Sequence, residues 1–179
     1  MPGGSRRRRG PRVSALDGAL RKAILAAASN DQVERFAGRY GMQLGASRFV
    51  AGQTLDECVA VLRRLNDQGF KANTTLLGES VADASAARAV VTEYERILAR
   101  IQAEELRANV ALKLTHLGLE LDEELAYENV ERVVRRASEL GNFVRIDMEQ
   151  SSVIDATSRI YRRLRAAGYE AVGIVLQSY

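Results

Sequence analysis

Four short apolar segments, each ending in a polar side chain, recur along the later part of the chain. Phe70 to Leu77 runs into Gly78-Glu79, Asn109 to Leu112 into Lys113, Phe143 to Ile146 into Asp147, and Ala171 to Leu176 into Gln177. Glu79 and Lys113 stand 34 residues apart, Lys113 and Asp147 also 34, and Asp147 and Gln177 30. Between the segments the apolar spacing becomes helical: Val90, Tyr94, Ile97, Leu98 and Ile101, then Leu125, Val130, Val133, Val134 and Ala137, then Ile154, Thr157, Ile160, Tyr161 and Leu164. This is the pitch of a repeated strand–helix unit. The strands read as continuously apolar, above all Ala171-Val172-Gly173-Ile174-Val175-Leu176, which suits burial on both faces of a parallel sheet. In a (β/α)8 barrel the strand carboxyl ends share one face, and that face holds the active site.

Ahead of the first strand the pattern is helical from Ala15 to Gly69, and its clearest helix starts at Thr54. Thr54 and Glu57 form a T-x-x-E capping box, in which each side chain satisfies a free backbone N–H of the first turn. Leu55, Cys58, Val59, Leu62 and Leu65 then share one face, with Cys58 as a small core residue. Gly69, Gly141-Asn142 and Gly168 stand where left-handed helix ends are needed. Residues 1–14 are rich in Gly, Pro and Arg and read as a disordered basic tail. The organisation expected is therefore a tail over 1–14, a helical segment over 15–69, and a barrel portion over 70–179.

Length shapes that picture. A complete barrel takes about 250 residues, and the chain has 179. The expected architecture is an α/β, (β/α)8-type barrel truncated after the fourth strand and preceded by helices. A Rossmann-like sheet is the competing layout. It carries a Gly-rich phosphate loop after its first strand, whereas Leu76-Leu77-Gly78-Glu79-Ser80 has one glycine and a carboxylate that repels phosphate. Charge adds a further exclusion. The formal net charge of +3 becomes −1 once the four arginines Arg6 to Arg9 are removed, so the body gives no reason to expect nucleic acid. A single cysteine forms no intramolecular disulfide, which suits a reducing compartment. No apolar stretch approaches the ~20 residues of a membrane span.

The strand-end residues carry the candidate chemistry. Lys113, between Leu112 and Leu114, is costly to bury without an anion. It is open to three roles: a Schiff-base amine, a cation for a substrate carboxylate or phosphate, or the partner of Asp147 or Glu79 in an internal ion pair. In Ile146-Asp147-Met148-Glu149 alternation puts both carboxylates on one side, with Met148 opposite. A lone D-x-E, with no histidine or second acidic pair at matching spacing, is weak support for a metal, and none is expected. His116, the single histidine, reads as a hydrogen-bonding surface residue, with acid–base or ligand work as the alternative. Gln177 offers an amide to a planar heteroaromatic edge, or to neighbouring backbone.

Taken together, three stretches resemble successive strands of bacterial proline dehydrogenases of the monofunctional type: 111–119 (ALKLTHLGL), 143–149 (FVRIDME) and 172–179 (VGIVLQSY). Leu76-Leu77-Gly78-Glu79 is similar to that family's first strand end, and Arg48 to Gly52 with Thr54-Leu55 to its segment before the barrel. The resemblance runs from about Leu16 to Tyr179. It implies a distorted (β/α)8 flavoenzyme that oxidises L-proline to Δ1-pyrroline-5-carboxylate in proline catabolism, passing hydride to FAD and electrons to a membrane quinone. By the same resemblance Lys113 binds the substrate carboxylate. Asp147 is an active-site residue beside the flavin. Met148 and Gln177 contact FAD, and Glu79 pairs with a substrate-binding arginine. The family's aspartate four residues before Glu79 is Thr75 here, which removes a counter-charge for Lys113. The location implied is the cytoplasm, peripheral at the inner face of the membrane.

The family's later strands and final helix carry further flavin- and substrate-binding arginines, so a chain ending at Tyr179 is expected to bind FAD weakly or not at all, and activity of this chain alone is not expected. Two other readings stand beside the dehydrogenase. One is a lysine Schiff-base, aldolase-like barrel built on Lys113. The other is a non-catalytic fragment or assembly module that self-associates through open sheet edges.

Overall fold

The computed structural model describes residues 50–177. The basic tail over 1–14, the helical segment as far as residue 49, and residues 178–179 lie outside the described residues. Helix α1 (Leu55–Asp67) is followed by β1 (Ala72–Thr74), α2 (Ala84–Ala103), β2 (Ala108–Leu112), α3 (Glu123–Glu139), β3 (Val144–Ile146), α4 (Ile154–Ala166) and β4 (Val172–Ile174). Two 3-10 turns, Thr115–Leu117 and Ser151–Val153, lie after β2 and β3. The four strands pair in chain order, all parallel, with Ala72 opposite Ala108, Val110 opposite Val144, and Val144 opposite Val172. Among the described strands the order never reverses, so the switch point of a doubly wound sheet is absent.

Local chemistry sets the element ends. The Thr54–Glu57 capping box forms as expected, while Asp83 and Asp122 cap α2 and α3 by accepting from Ala86 N–H at 2.9 Å and Leu125 N–H at 2.8 Å. The four helices among the described residues stop the same way. The amides of Phe70, Leu106, Asn142 and Tyr169 donate to the carbonyls of Leu65, Ile101, Ala137 and Leu164 at 2.8–3.2 Å. The residue before each amide is left-handed: Gly69, Gly141 and Gly168, and at the end of α2 Glu105, with φ 51°. Each helix thus turns straight into the next strand.

The core lies between the helices and one face of the sheet. Val110, Leu112, Val144, Ile146 and Val172 pack there against Val91, Leu98, Val130, Val134, Ile160 and Leu164. The other face was expected to be buried as well; Ala111 in β2 is, but the other strands leave that face largely open. Alternation along the strands turns Asn73, Asn109, Arg145 and Gly173 that way, and Asn73 and Arg145 are exposed. The outer strands are also shorter than the apolar runs that predict them. β1 stops at Thr74, and at the next rung toward β2 the Tyr94 hydroxyl lies 3.4 Å from Leu76 N. β4 has no neighbour on its outer side among the described residues, so only Val172 is buried, and Leu176 is 76% exposed. Ile154, expected in the core, is exposed at the start of α4, where Val153 of the preceding turn takes the buried place.

Candidate active site

The strand register decides which candidates share a level. Leu112 lies opposite Ile146, and the Asp147 amide donates to Leu112 O at 2.9 Å, so Lys113 and Asp147 stand side by side at the carboxyl ends of β2 and β3. Both continue the face turned away from the helices. By the same register the residue level with Lys113 on β1 is Leu77, and the one level with Asp147 on β4 is Val175. Glu79 and Gln177 therefore lie two residues further out, at the mouth. The even sequence spacing had suggested one ring of four, and the structure makes two tiers.

Glu79 nevertheless reaches inward to Lys113. The two form a salt bridge in which the lysine side chain is 33% exposed and the glutamate 66%. The hydrogen bond from Lys113, and then its charge, holds the Glu79 carboxyl below the usual range. Thr75 thus leaves Lys113 with a counter-charge after all, supplied by Glu79. Thr75 itself lies 3.4 Å from the Tyr94 hydroxyl. Asp147 is half-buried, and burial pushes its carboxyl above the ordinary value while the Lys113 charge pulls the other way. A carboxyl held up by desolvation beside a lysine held by a second carboxylate is the kind of asymmetry that functional sites show.

The loops around this pair are stitched together. The Thr115 amide donates to Glu149 Oε1 at 3.2 Å, and the Thr115 hydroxyl donates to Glu149 Oε2. Glu149 is thereby committed to the turn after β2 and does not form a metal pair with Asp147. Among the described residues no three metal-ligating side chains converge. Glu120 accepts from Gln150 Nε2 at 3.0 Å and from the Ser80 hydroxyl, linking the loops after β3 and β1. His116 was expected at the surface. Instead its ring lies against Gly78, where a Cβ would come within 2.6 Å of Cε1 and Nε2, and its Nδ1 is buried with no partner among the described residues. Burial, and then the Lys113 charge, push its pKa down. Met148 is half-buried and Gln177 exposed at the mouth.

Three participants were not singled out from sequence. Tyr94 reads as one more core residue of a helical stripe. The Thr115–Glu149 clamp joins residues 34 apart, and only the strand register reveals it. Gly78 stands out only through its φ of 146° and its contact with a ring. A groove at the opposite, amino-terminal end of the strands is lined among others by Lys71, Glu105, Arg107, Asn142 and Phe143.

Parallel strand–helix units with charged side chains gathered at the strand carboxyl ends define a barrel-type α/β enzyme site. The sequence pattern of the proline dehydrogenase family matches residues 58–179, and the chain belongs to that family. It is 37% identical over 160 residues to proline dehydrogenase 1 of Bacillus subtilis, covering 89% of this chain and 53% of that protein. It is 33% identical over 168 residues to the proline dehydrogenase of Deinococcus radiodurans, covering 92% and 54%. The chain thus spans about half the length of these relatives. Its fold matches that of proline utilization A from Bdellovibrio bacteriovorus inactivated by N-propargylglycine, with a TM-score of 0.65 at 22% identity over 92% of this chain and 18% of that one.

Proposed function

We propose that the chain carries the Lys113–Asp147 portion of the active site of an FAD-dependent proline dehydrogenase, which oxidises L-proline to 1-pyrroline-5-carboxylate. The observation that carries this reading is the adjacency of Lys113 and Asp147 at the strand ends of a chain of this family. L-Proline is a zwitterion with one carboxylate and one ring nitrogen. Lys113 has three N–H donors. Glu79 takes one, and the others are available to the substrate carboxylate. Asp147 beside it orients the ring nitrogen. The donor set suits a flavin: a half-buried Met148 gives apolar contact, and the Gln177 amide offers both donor and acceptor to a polar ring edge. FAD held there would supply the acceptor for a hydride from the carbon next to the proline nitrogen, with a membrane quinone as the onward electron acceptor. Hydride transfer of this kind depends on alignment rather than on a protein nucleophile. The Schiff-base reading is disfavoured because Lys113 is ion-paired with Glu79, so its lone pair is not free for carbonyl attack.

The test is proline-dependent dye reduction by the 179-residue chain with FAD in excess, in the unmodified protein and in Lys113→Met. One charge-assisted contact contributes about 1.5–3 kcal/mol, so KM for L-proline should rise roughly ten- to hundred-fold, with bound flavin unchanged. Lost flavin with an unchanged KM would assign Lys113 to the cofactor or the structure. No proline oxidation at saturating FAD would overturn the reading for this chain.

Cytoplasmic residence with peripheral contact at the inner membrane face belongs to the same proposal. Among the described residues no helix is long and apolar enough to cross a membrane. Self-association is a second reading, favoured by Leu77 and Leu176, 73% and 76% exposed beyond the two outer strands. Sedimentation should show oligomers that Leu176→Lys shifts toward monomer, and a concentration-independent monomer would dismiss it.

A further inference from the structure

The ladder between β1 and β2 is interrupted at one rung, and a side chain fills the gap. With Ala72 opposite Ala108 and Thr74 opposite Val110, the Ala72 amide donates to Arg107 O at 3.0 Å. Two rungs on, the same pattern makes the Leu76 amide the donor to Ala111 O. Instead the Leu76 amide faces the Tyr94 hydroxyl oxygen at 3.4 Å, and that hydroxyl donates to Ala111 O at 3.0 Å. The late rungs of the other strand pairs are direct: Asp147 to Leu112 O and Val175 to Ile146 O, both at 2.9 Å. The interruption is therefore confined to the β1 side of the site.

A phenol suits this place because its oxygen accepts and donates at once. Tyr94 is fully buried and anchored in α2 among Val91, Leu98 and Val110. Burial is the first cause that pushes its pKa above the ordinary value, and the Asp147 charge acts in the same direction, so the proton needed by Ala111 O stays in place. Direct closure of Leu76 on Ala111 would carry β1 on alongside β2 and seat Leu77 beside Lys113. With the hydroxyl inserted, β1 parts from β2, the chain turns at Gly78, and Glu79 comes back to Lys113.

We propose that Tyr94 is a positioning residue of the strand-end site: its hydroxyl, spliced between Leu76 N–H and Ala111 C=O, holds β1 off β2 and so sets where Glu79 meets Lys113. The proposal goes beyond the oxidation of proline and needs neither FAD nor substrate to be examined.

Amide exchange and carboxylate titration by NMR on the 179-residue chain test it, in the unmodified protein, in Tyr94→Phe, and in Ile160→Val as a core change remote from the site. In the unmodified chain the Leu76 amide should be protected together with Asp147 and Val175. Tyr94→Phe should speed Leu76 exchange about ten-fold, the loss of one hydrogen bond, and move the Glu79 midpoint up toward an ordinary carboxylate. Ile160→Val should lower stability and move neither. An unchanged Leu76 rate and Glu79 midpoint in Tyr94→Phe would overturn the proposal. If that variant does not fold, the unmodified chain decides. A Tyr94 hydroxyl proton with a cross-peak to the Leu76 amide supports the splice, and a Leu76 amide exchanging at the open-chain rate refutes it.

Discussion

Leu112→Ala is expected to remove about 2–5 kcal/mol of folding stability, the usual range for emptying a fully buried leucine site. Leu112 is completely buried in β2, flanked by strands on both sides and covered by the helices of the core. The loss combines the transfer of its methyl groups with a cavity that two flanking strands keep from collapsing. Against a typical total of about 5–15 kcal/mol, this is a large share. Urea unfolding should show a lower midpoint with the slope unchanged. Leu176→Ala, at a site 76% exposed, should stay within about 0.5 kcal/mol. Equal midpoints for Leu112→Ala and the unmodified chain would mean that β2 is not central. The carbonyl of Leu112 also accepts the Asp147 amide, so the variant should loosen the Lys113–Asp147 pair as well.

The helical stripes were legible because periodicity, capping box and glycine ends agree. Val59 and Leu62, Tyr94 and Leu98, Val130 and Val134, and Ile160 and Leu164 are all buried on the expected faces. Three strands were placed to within about two residues. What the sequence concealed was register. Apolar runs mark where strands lie, but Glu79 and Gln177 look equivalent to Lys113 and Asp147 until pairing offsets are known. The polar face carrying Asn73, Asn109 and Arg145 was overlooked because single polar residues between Ala108 and Val110 and between Val144 and Ile146 leave the runs mainly apolar, and because β4 carries Gly173 at that level. Ion pairing of Lys113 was foreseen as an alternative, with Glu79 one of two partners considered. The placement of His116 depended on a backbone turn at Gly78 that composition does not reveal.

Gly78→Val should expel the segment carrying Glu79. The new Cβ would meet the His116 ring at 2.6 Å, and φ 146° suits no branched side chain. Thr115, next to the ring, is buried and held by Glu149, which keeps the ring from yielding. Backbone strain of this kind amounts to about 1–3 kcal/mol. It should be relieved by lifting the exposed loop rather than by global unfolding. His116 and Glu79 then report the change. His116 titrates below its ordinary 6.5, chiefly through burial. Between its folded value and 6.5 the unfolded chain binds more protons, so stability falls as pH drops through that window. In Gly78→Val the histidine midpoint should return toward 6.5 and that acid-side loss should vanish. The Glu79 midpoint should rise as its pairing with Lys113 is lost. The single histidine makes the first reading unambiguous. An unmoved midpoint would show that the segment does not rest on the ring.

From α2 onward each helix offers carboxylates to the guanidinium groups of the next one along. Glu95 takes Arg132, Glu123 takes Arg159, and Glu124 takes Arg163, which also lies 3.5 Å over the Tyr127 ring. Exposed pairs of this kind add little stability singly, but they run in one direction, acid first and base second. A nascent chain leaving the ribosome amino terminus first therefore displays each acidic docking surface before the arginine that seeks it emerges. Arg132 of α3, and Arg159 and Arg163 of α4, thus each emerge after the carboxylate of the preceding helix that receives them.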